Sequence, residues 1–136
     1  MKLSVSNFRI DPPDTKIQRC YHAMINIEAK LSITDSIGLY FEEEFFTVVE
    51  LAAQLKKWLK SKRSTFIFES MDDDIEELLV FKPYNNGWLI YTSLENRPFS
   101  ELLTNSEINE IAEKYISDVK LGVKKHLNID LEKLCT

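Results

Sequence analysis

The chain has 136 residues and a formal net charge of −5, from 17 Lys and Arg against 22 Asp and Glu. Hydrophobic residues make up 44% of it and only 3 residues are Gly, which excludes a disordered or collagen-like protein. This length predicts a single domain over residues 1–136.

Three strands are predicted in the first third of the chain. Apolar residues within 3–10 predict a first strand, which ends at 11–14 because two prolines there cannot donate to a strand ladder. Residues 21–33 alternate between apolar and polar side chains, a pattern typical of a half-buried antiparallel strand. After a turn at 35–36, the alternation of Ile, Leu and Phe over 37–41 predicts a hairpin partner.

A first helix is predicted to begin at Thr47. Thr47 and Glu50 have the spacing of a capping box, in which the Thr oxygen accepts a backbone N–H and the Glu reaches back. Phe46 and Leu51 occupy the hydrophobic-staple positions. The predicted buried stripe is Leu51, Ala52, Leu55, Trp58 and Leu59. The cations that suit the negative end of the helix dipole are Lys56, Lys57, Lys60, Lys62 and Arg63.

Three further strands are predicted at 65–68, 77–81 and 88–92, with a hairpin loop at 83–87 between the last two.

A last helix repeats the capping box with Thr104 and Glu107, and Leu103 and Ile108 occupy its staple positions. Its predicted buried stripe is Ile108, Ile111, Ala112, Tyr115, Val119, Val123 and Leu127. The order β-β-β-α-β-β-β-α predicts an α+β fold. We expect one mainly antiparallel sheet of about six strands, with two amphipathic helices packed on one face.

Two clusters of acidic residues, one within 42–44 and one within 72–77, are the main functional signal. Such clusters favour an acidic surface that attracts a basic protein partner. The predicted partner-binding residues are Glu42, Glu43, Glu44, Asp72, Asp73, Asp74, Glu76 and Glu77. The second cluster lacks EF-hand spacing and a loop glycine, so we predict no metal and no cofactor.

Catalytic motifs are missing from the sequence, which predicts a non-enzymatic protein. Cys20 and His22 would lie on the same face of the predicted strand, but no residue is positioned to orient the histidine. The alternatives are a ligand-binding or enzymatic pocket between sheet and helices, tested first at His22, Trp88 and Tyr91, and a homo-oligomer formed through an edge strand or the face carrying Met24.

Cellular location is predicted from three features. No apolar run approaches the roughly 20 residues that cross a bilayer, and the N-terminus lacks the apolar core of a signal peptide. The two cysteines, Cys20 and Cys135, are interpreted as free thiols in a reducing cytoplasm.

The acidic balance disfavours general nucleic-acid binding, which requires a surface that neutralises phosphates.

The middle of the chain, residues 45–88, resembles the small acidic immunity proteins of bacterial polymorphic-toxin systems, WapI-like ones in particular. The resemblance is carried by the predicted helix ending in Trp58 and Leu59, the short strands 66–68 and 78–81, and Gly87–Trp88. It implies a single-domain cytoplasmic protein without catalytic residues, which binds and masks a cognate toxin domain.

Overall fold

The computed structural model describes residues 1–61, 64–71, 74–95 and 101–135. The strands are β1 (Lys2–Ile10), β2 (Ile27–Thr34), β3 (Leu39–Phe46), β4 (Phe66–Ile67), β5 (Val80–Tyr84) and β6 (Gly87–Tyr91). The helices are α1 (Cys20–Asn26), α2 (Val48–Lys60), α3 (Asn105–Leu127) and α4 (Leu131–Leu134). Lys62 and Arg63 of the predicted basic run lie outside the described residues.

The six strands form two separate antiparallel sheets of three strands, β1-β2-β3 and β4-β5-β6. The α+β class is confirmed, whereas the expected single sheet of six strands is wrong. The two sheets stay separate because the ladder between β2 and β3 ends at Phe46, where the chain turns into α2, and β4 pairs with β5. Stacking of Phe46 on Phe68, with centroids 5.2 Å apart, joins the first sheet to the segment after β4.

The predicted strand 21–33 is wrong in its first half, since Cys20–Asn26 forms α1. Ala23 and Ile27 are both fully buried and are four residues apart, a spacing that suits a helix as well as a strand. His22 Nδ1 accepts the backbone N–H groups of Gln18 and Arg19 at 3.2 Å, which satisfies donors at the helix start. Cys20 and His22 therefore do not share a strand face. From Ile27 onward the predicted alternation is confirmed in β2.

The predicted hairpin at 83–87 is present as a two-residue turn between β5 and β6. Tyr84 pairs with Gly87, and the turn residues Asn85 and Asn86 have φ values of 46° and 63°. Positive φ at both central positions is typical of a type I′ turn, which matches the twist of the flanking strands.

The long helices α2 and α3 pack on each other and on the first sheet, α2 against β2 and α3 against β1. Between them, the buried Tyr115 hydroxyl donates to the Val48 carbonyl at 2.8 Å, and burial raises the pKa of this phenol well above its ordinary value. Trp58 on α2 makes edge-on contacts with Phe81 and Trp88 of the second sheet. The two helices therefore share one core with both sheets.

Most residues of the two predicted helical stripes are buried. Half-buried members are Leu59, Ile111 and Leu127. The short helices α1 and α4 were not expected.

Cys20 and Cys135 form a disulfide with their Cα atoms 4.9 Å apart, so the expectation of free thiols is wrong. The end of the chain is ordered by α4, where the Asp130 side chain accepts the N–H groups of Glu132 and Lys133 and Leu131 is buried. This brings Cys135 to the start of α1. A crosslink across 115 residues restricts the unfolded chain and stabilises the fold by about 4–5 kcal/mol.

Candidate protein-binding surface

The first acidic cluster, Glu42 to Glu44, lies on β3, an edge strand of the first sheet. Glu42 accepts from Lys30 Nζ at 2.9 Å and from Ser32 Oγ at 3.1 Å. The hydrogen bond from Lys30, followed by that from Ser32, lowers the pKa of Glu42. The same bond raises the pKa of Lys30. Glu42 is thus held in an ion pair on the sheet surface.

The ladder between β2 and β3 is irregular between Glu43 and Phe46, and Phe45 faces outward there. Leu31 pairs with Glu43 but Ala29 pairs with Phe46, so β3 carries one extra residue. Glu43 Oε1 accepts the N–H of Phe45 at 3.2 Å, and Phe45 remains 64% exposed. The guanidinium of Arg9 lies 4.4 Å from the centroid of the Phe45 ring and donates to the Glu44 carbonyl. An aromatic ring at the surface is therefore already in contact with a cation.

The second acidic cluster is described in part, because Asp72 and Asp73 lie outside the described residues. Asp74, Glu76 and Glu77 are exposed. Glu77 accepts the Tyr91 hydroxyl at 3.0 Å, and burial together with this hydrogen bond raises the pKa of Tyr91. Glu76 and Glu77 also accept from Ser93 through their carbonyls, so the segment is tied to the end of β6.

A cleft of about 230 Å³ is lined by Glu28, Glu43 and several apolar residues, and we call it the acidic cleft. Glu28 and Glu43 of the first sheet line it, and so do the apolar residues Ile75 and Leu94. Phe45 lines it as well. The fold thus brings Glu43 to the same cleft as Ile75, which lies between Asp74 and Glu76 in the sequence.

Phe45, Glu28 and Leu94 were missed as site residues by the sequence reasoning. Phe45 had a recognisable signal, because two phenylalanines in succession on a strand cannot both face one core. Glu28 and Leu94 carry no such signal, since their proximity to Glu43 arises from the packing of distant segments. Glu28 lies 3.9 Å from Arg9 Nε, so it belongs to the same group of charges as Phe45 and its cation.

A family model for a domain of unknown function, DUF7878, matches residues 4–125. This chain belongs to the DUF7878 family. No curated protein and no solved structure matches the chain. The description of the family gives no function, so the surface geometry of this DUF7878 protein is the feature that bears on what it binds.

The residues proposed for an alternative pocket lie in two elements of this DUF7878 protein. His22 is in α1, whereas Trp88 and Tyr91 are both in β6. Trp88 is 5% exposed and its indole N–H donates to Asn105 Oδ1 at 2.6 Å, which is the contact of a core residue. A pocket using these three residues stays a prediction.

Among residues 1–61, 64–71, 74–95 and 101–135, no three His, Cys, Asp or Glu side chains group closely enough to hold a metal. Within the same ranges, no helix is both long and apolar enough to cross a membrane.

Proposed function

We propose that this DUF7878 protein is a non-enzymatic binding protein that receives a basic, partly apolar surface of another protein at the acidic cleft. The observation that carries the proposal is the combination of carboxylates and exposed apolar side chains around one cleft. Glu28 and Glu43 provide the charge, and Phe45, Ile75 and Leu94 provide exposed apolar area.

The contact between Arg9 and Phe45 supports a cationic partner. The Phe45 ring and the Glu44 carbonyl together hold a guanidinium within the chain itself. An arginine or lysine of a partner would meet similar chemistry in the cleft, where the stem of its side chain would pack on Phe45, Ile75 or Leu94 and its charged end would reach Glu28 or Glu43.

Charge complementarity of this kind accelerates encounter and selects the partner more than it adds affinity. The net charge of −5 acts in the same direction over longer distances. A narrower form of the proposal, implied by the resemblance to immunity proteins, is that the partner is a toxin domain whose activity is masked.

The cytoplasmic location belongs to this proposal as well. The Cys20–Cys135 disulfide is an argument against it, because structural disulfides are typical of oxidising compartments. Trapping free thiols in intact source cells, followed by mass spectrometry of Cys20 and Cys135, would test the location. Two labelled thiols would support the cytoplasm, and an intact disulfide would contradict it.

The function is tested by affinity capture from the source organism with three baits. The first bait is the unchanged protein. The second carries Glu43→Gln, which is in the cleft, and Glu76→Gln, which is next to the cleft residue Ile75 and belongs to the second acidic cluster. The third carries Glu110→Gln and Glu113→Gln. The third is a matched control, since it removes two exposed carboxylates from α3 and changes the net charge equally. Gln at position 43 keeps an oxygen that can accept the Phe45 N–H.

We expect one basic protein to be captured stoichiometrically by the unchanged bait and the control, and to be lost as salt rises. With the purified partner, the Glu43→Gln, Glu76→Gln protein should associate severalfold more slowly, with a shallower dependence of the association rate on salt. Equal association rates for all three proteins would contradict the proposed surface. Chemical conversion of a small molecule that copurifies with the unchanged protein would contradict a non-enzymatic role.

A further inference from the structure

A second concave surface lies between α2, α3 and α4, and it shares no lining residue with the acidic cleft. It is a half-open groove of about 570 Å³, which we call the lysine-rimmed groove. This volume is within the range of about 300–1,000 Å³ that is typical of small-molecule sites.

The floor of the lysine-rimmed groove is apolar. Val49 and Ala52 of α2, Val119 of α3 and Leu131 of α4 are all less than 9% exposed, and each borders the groove. The Cys20–Cys135 disulfide also lines it. Ala53 is exposed and adds a small side chain at the opening, so α2 leaves room for a ligand chain against Ile116.

The rim of the groove is basic in a protein that is acidic overall. Lys56, Lys57 and Lys60 are exposed on α2, and Lys120 projects from α3. The helix dipole explains the cations near the end of α2, but it does not explain Lys120, which is in the interior of the long helix α3. Glu132 is the acidic member of the rim, and it pairs with Lys120 at 3.1 Å.

The charges on the rim are unevenly distributed, so one end of the groove is more basic than the other. The Glu132–Lys120 pair lies on the side of α3 and α4, whereas Lys56, Lys57 and Lys60 line the last two turns of α2. Val49 and Lys60 are eleven residues apart on α2, which corresponds to roughly 16 Å at the rise of an α-helix. An elongated apolar ligand would lie along α2 with its anionic end near these three lysines.

We propose that the lysine-rimmed groove binds a free fatty carboxylate of medium chain length. The hydrocarbon chain occupies the floor between α2 and α3, and the carboxylate is neutralised by Lys56, Lys57 and Lys60. The apolar floor, which follows α2 from Val49 to Ala53, and the concentration of lysines at the end of α2 select an anionic amphiphile over a neutral or cationic one.

The first test is isothermal titration calorimetry of the full, oxidised chain with octanoate, decanoate and dodecanoate below their micelle concentrations. Each added methylene should tighten binding by up to about fourfold if it is buried on the floor. Decyltrimethylammonium, with the same chain and the opposite charge, should not bind. Absence of heat and of any thermal stabilisation with decanoate would overturn the proposal, and so would equal binding of the cationic amphiphile.

The second test changes the rim. A triple variant with Lys56→Gln, Lys57→Gln and Lys60→Gln should bind decanoate roughly tenfold more weakly, because exposed ion pairs contribute modestly each. The control variant carries Lys2→Gln, Lys16→Gln and Lys82→Gln, three exposed positions outside the groove with the same change in charge. An equal loss in both variants would show a nonspecific charge effect and would overturn the site.

The third test locates the ligand. Decanoate should shift the methyl NMR signals of Ala53, Ile116 and Leu131 and leave those of Ile75 and Leu94 in the acidic cleft unchanged. Shifts centred on the acidic cleft would overturn the assignment. Binding only to vesicles containing anionic lipid, or only to an acidic amphipathic peptide, would also overturn it, since the proposed occupant is the free carboxylate.

Discussion

The helices α2 and α3 begin with the same Thr-x-x-Glu pattern but use it differently. At the start of α3, Thr104 Oγ1 accepts the Glu107 N–H at 3.1 Å and Glu107 Oε1 accepts the Thr104 N–H at 3.0 Å, which is a reciprocal capping box. At the start of α2, the Thr47 hydroxyl instead donates to Glu50 Oε1 at 2.9 Å. The second oxygen of Glu50 accepts the N–H of Met71 at 2.9 Å.

Burial explains the difference between the two helix starts. Thr104 and Glu107 are exposed, so local rules decide their bonding. Thr47 is 6% and Glu50 is 2% exposed, and a buried polar side chain must find partners among the groups packed around it. Glu50 therefore joins α2 to the backbone of Met71, one residue before the second acidic cluster. The same four-residue pattern is a local cap in one place and a long-range tether in the other.

Removing the tether should have the largest effect. In Glu50→Ala, the buried Thr47 hydroxyl loses its acceptor, and the N–H of the exposed Met71 loses its bond to a buried carboxylate, so the free energy of unfolding should fall by about 2–3 kcal/mol. Urea unfolding monitored by tryptophan fluorescence measures this change. Glu110→Ala, at an exposed position on α3, is the control and should change stability little. A loss below about 1 kcal/mol for Glu50→Ala would show that the buried carboxyl group is not a tether.

Amide hydrogen exchange at Met71 in Glu50→Ala tests directly whether Glu50 bonds to a distant segment while Glu107 bonds only locally. Exchange at Met71 should accelerate in Glu50→Ala, because its N–H no longer donates to a buried acceptor. Exchange at Met71 should stay unchanged in Glu107→Ala, since the bonds of Glu107 are confined to the start of α3. Acceleration in both variants would indicate global destabilisation and not loss of a specific bond.

An intermediate effect is expected from the α3 cap. Thr104→Ala removes the oxygen that accepts the Glu107 N–H and should lower the free energy of unfolding by about 1 kcal/mol. Thr104→Ser keeps an oxygen at this position and should restore most of the loss. Urea unfolding measures both variants. A cost for Thr104→Ala as large as that for Glu50→Ala would remove the distinction between an exposed cap and a buried tether.

The two helix starts also show how far the sequence predicts the fold: the predicted capping box is confirmed at Thr104 and is wrong at Thr47. Both helices begin where Thr47 and Thr104 indicated, and the alternation from Ile27 onward identified β2, because these signals act over a few residues. The bonding of Glu50 was not predictable, since its partner at Met71 is 21 residues away. The single sheet failed for a related reason, because strand order does not set whether β3 and β4 pair.

The candidate site was predictable to a similar degree. Charge clusters are visible in any sequence, and the exposure of Asp74, Glu76 and Glu77 is the expected behaviour of such residues. The ion pair between Glu42 and Lys30 could not be predicted, because it depends on which residues are neighbours across β2 and β3. The Cys20–Cys135 disulfide could not be predicted either, because no local sequence pattern shows that α4 returns to the start of α1.

The smallest effect concerns the dependence of stability on pH. The backbone N–H of Thr104, followed by the Thr104 side chain, lowers the pKa of Glu107 in the folded protein from its ordinary value of 4.5. Because the folded pKa is the lower one, the ionised form favours folding. Its contribution is fully present above the ordinary pKa and is lost as the pH falls through the folded value.

The difference in unfolding free energy between the unchanged protein and Glu107→Gln should therefore be constant from neutral pH down to about 5 and should narrow below 4.5. Thr104→Ala supplies the control, because without the capping residue the substitution of Glu107 should show a weaker dependence on pH. Both differences are measured by urea unfolding at several pH values of four proteins: the unchanged protein, Glu107→Gln, Thr104→Ala, and the double variant with Thr104→Ala and Glu107→Gln. A gap that widens as the pH falls would mean that the protonated form of Glu107 is the one that caps α3, and the exposed cap would then not depend on an ionised carboxylate.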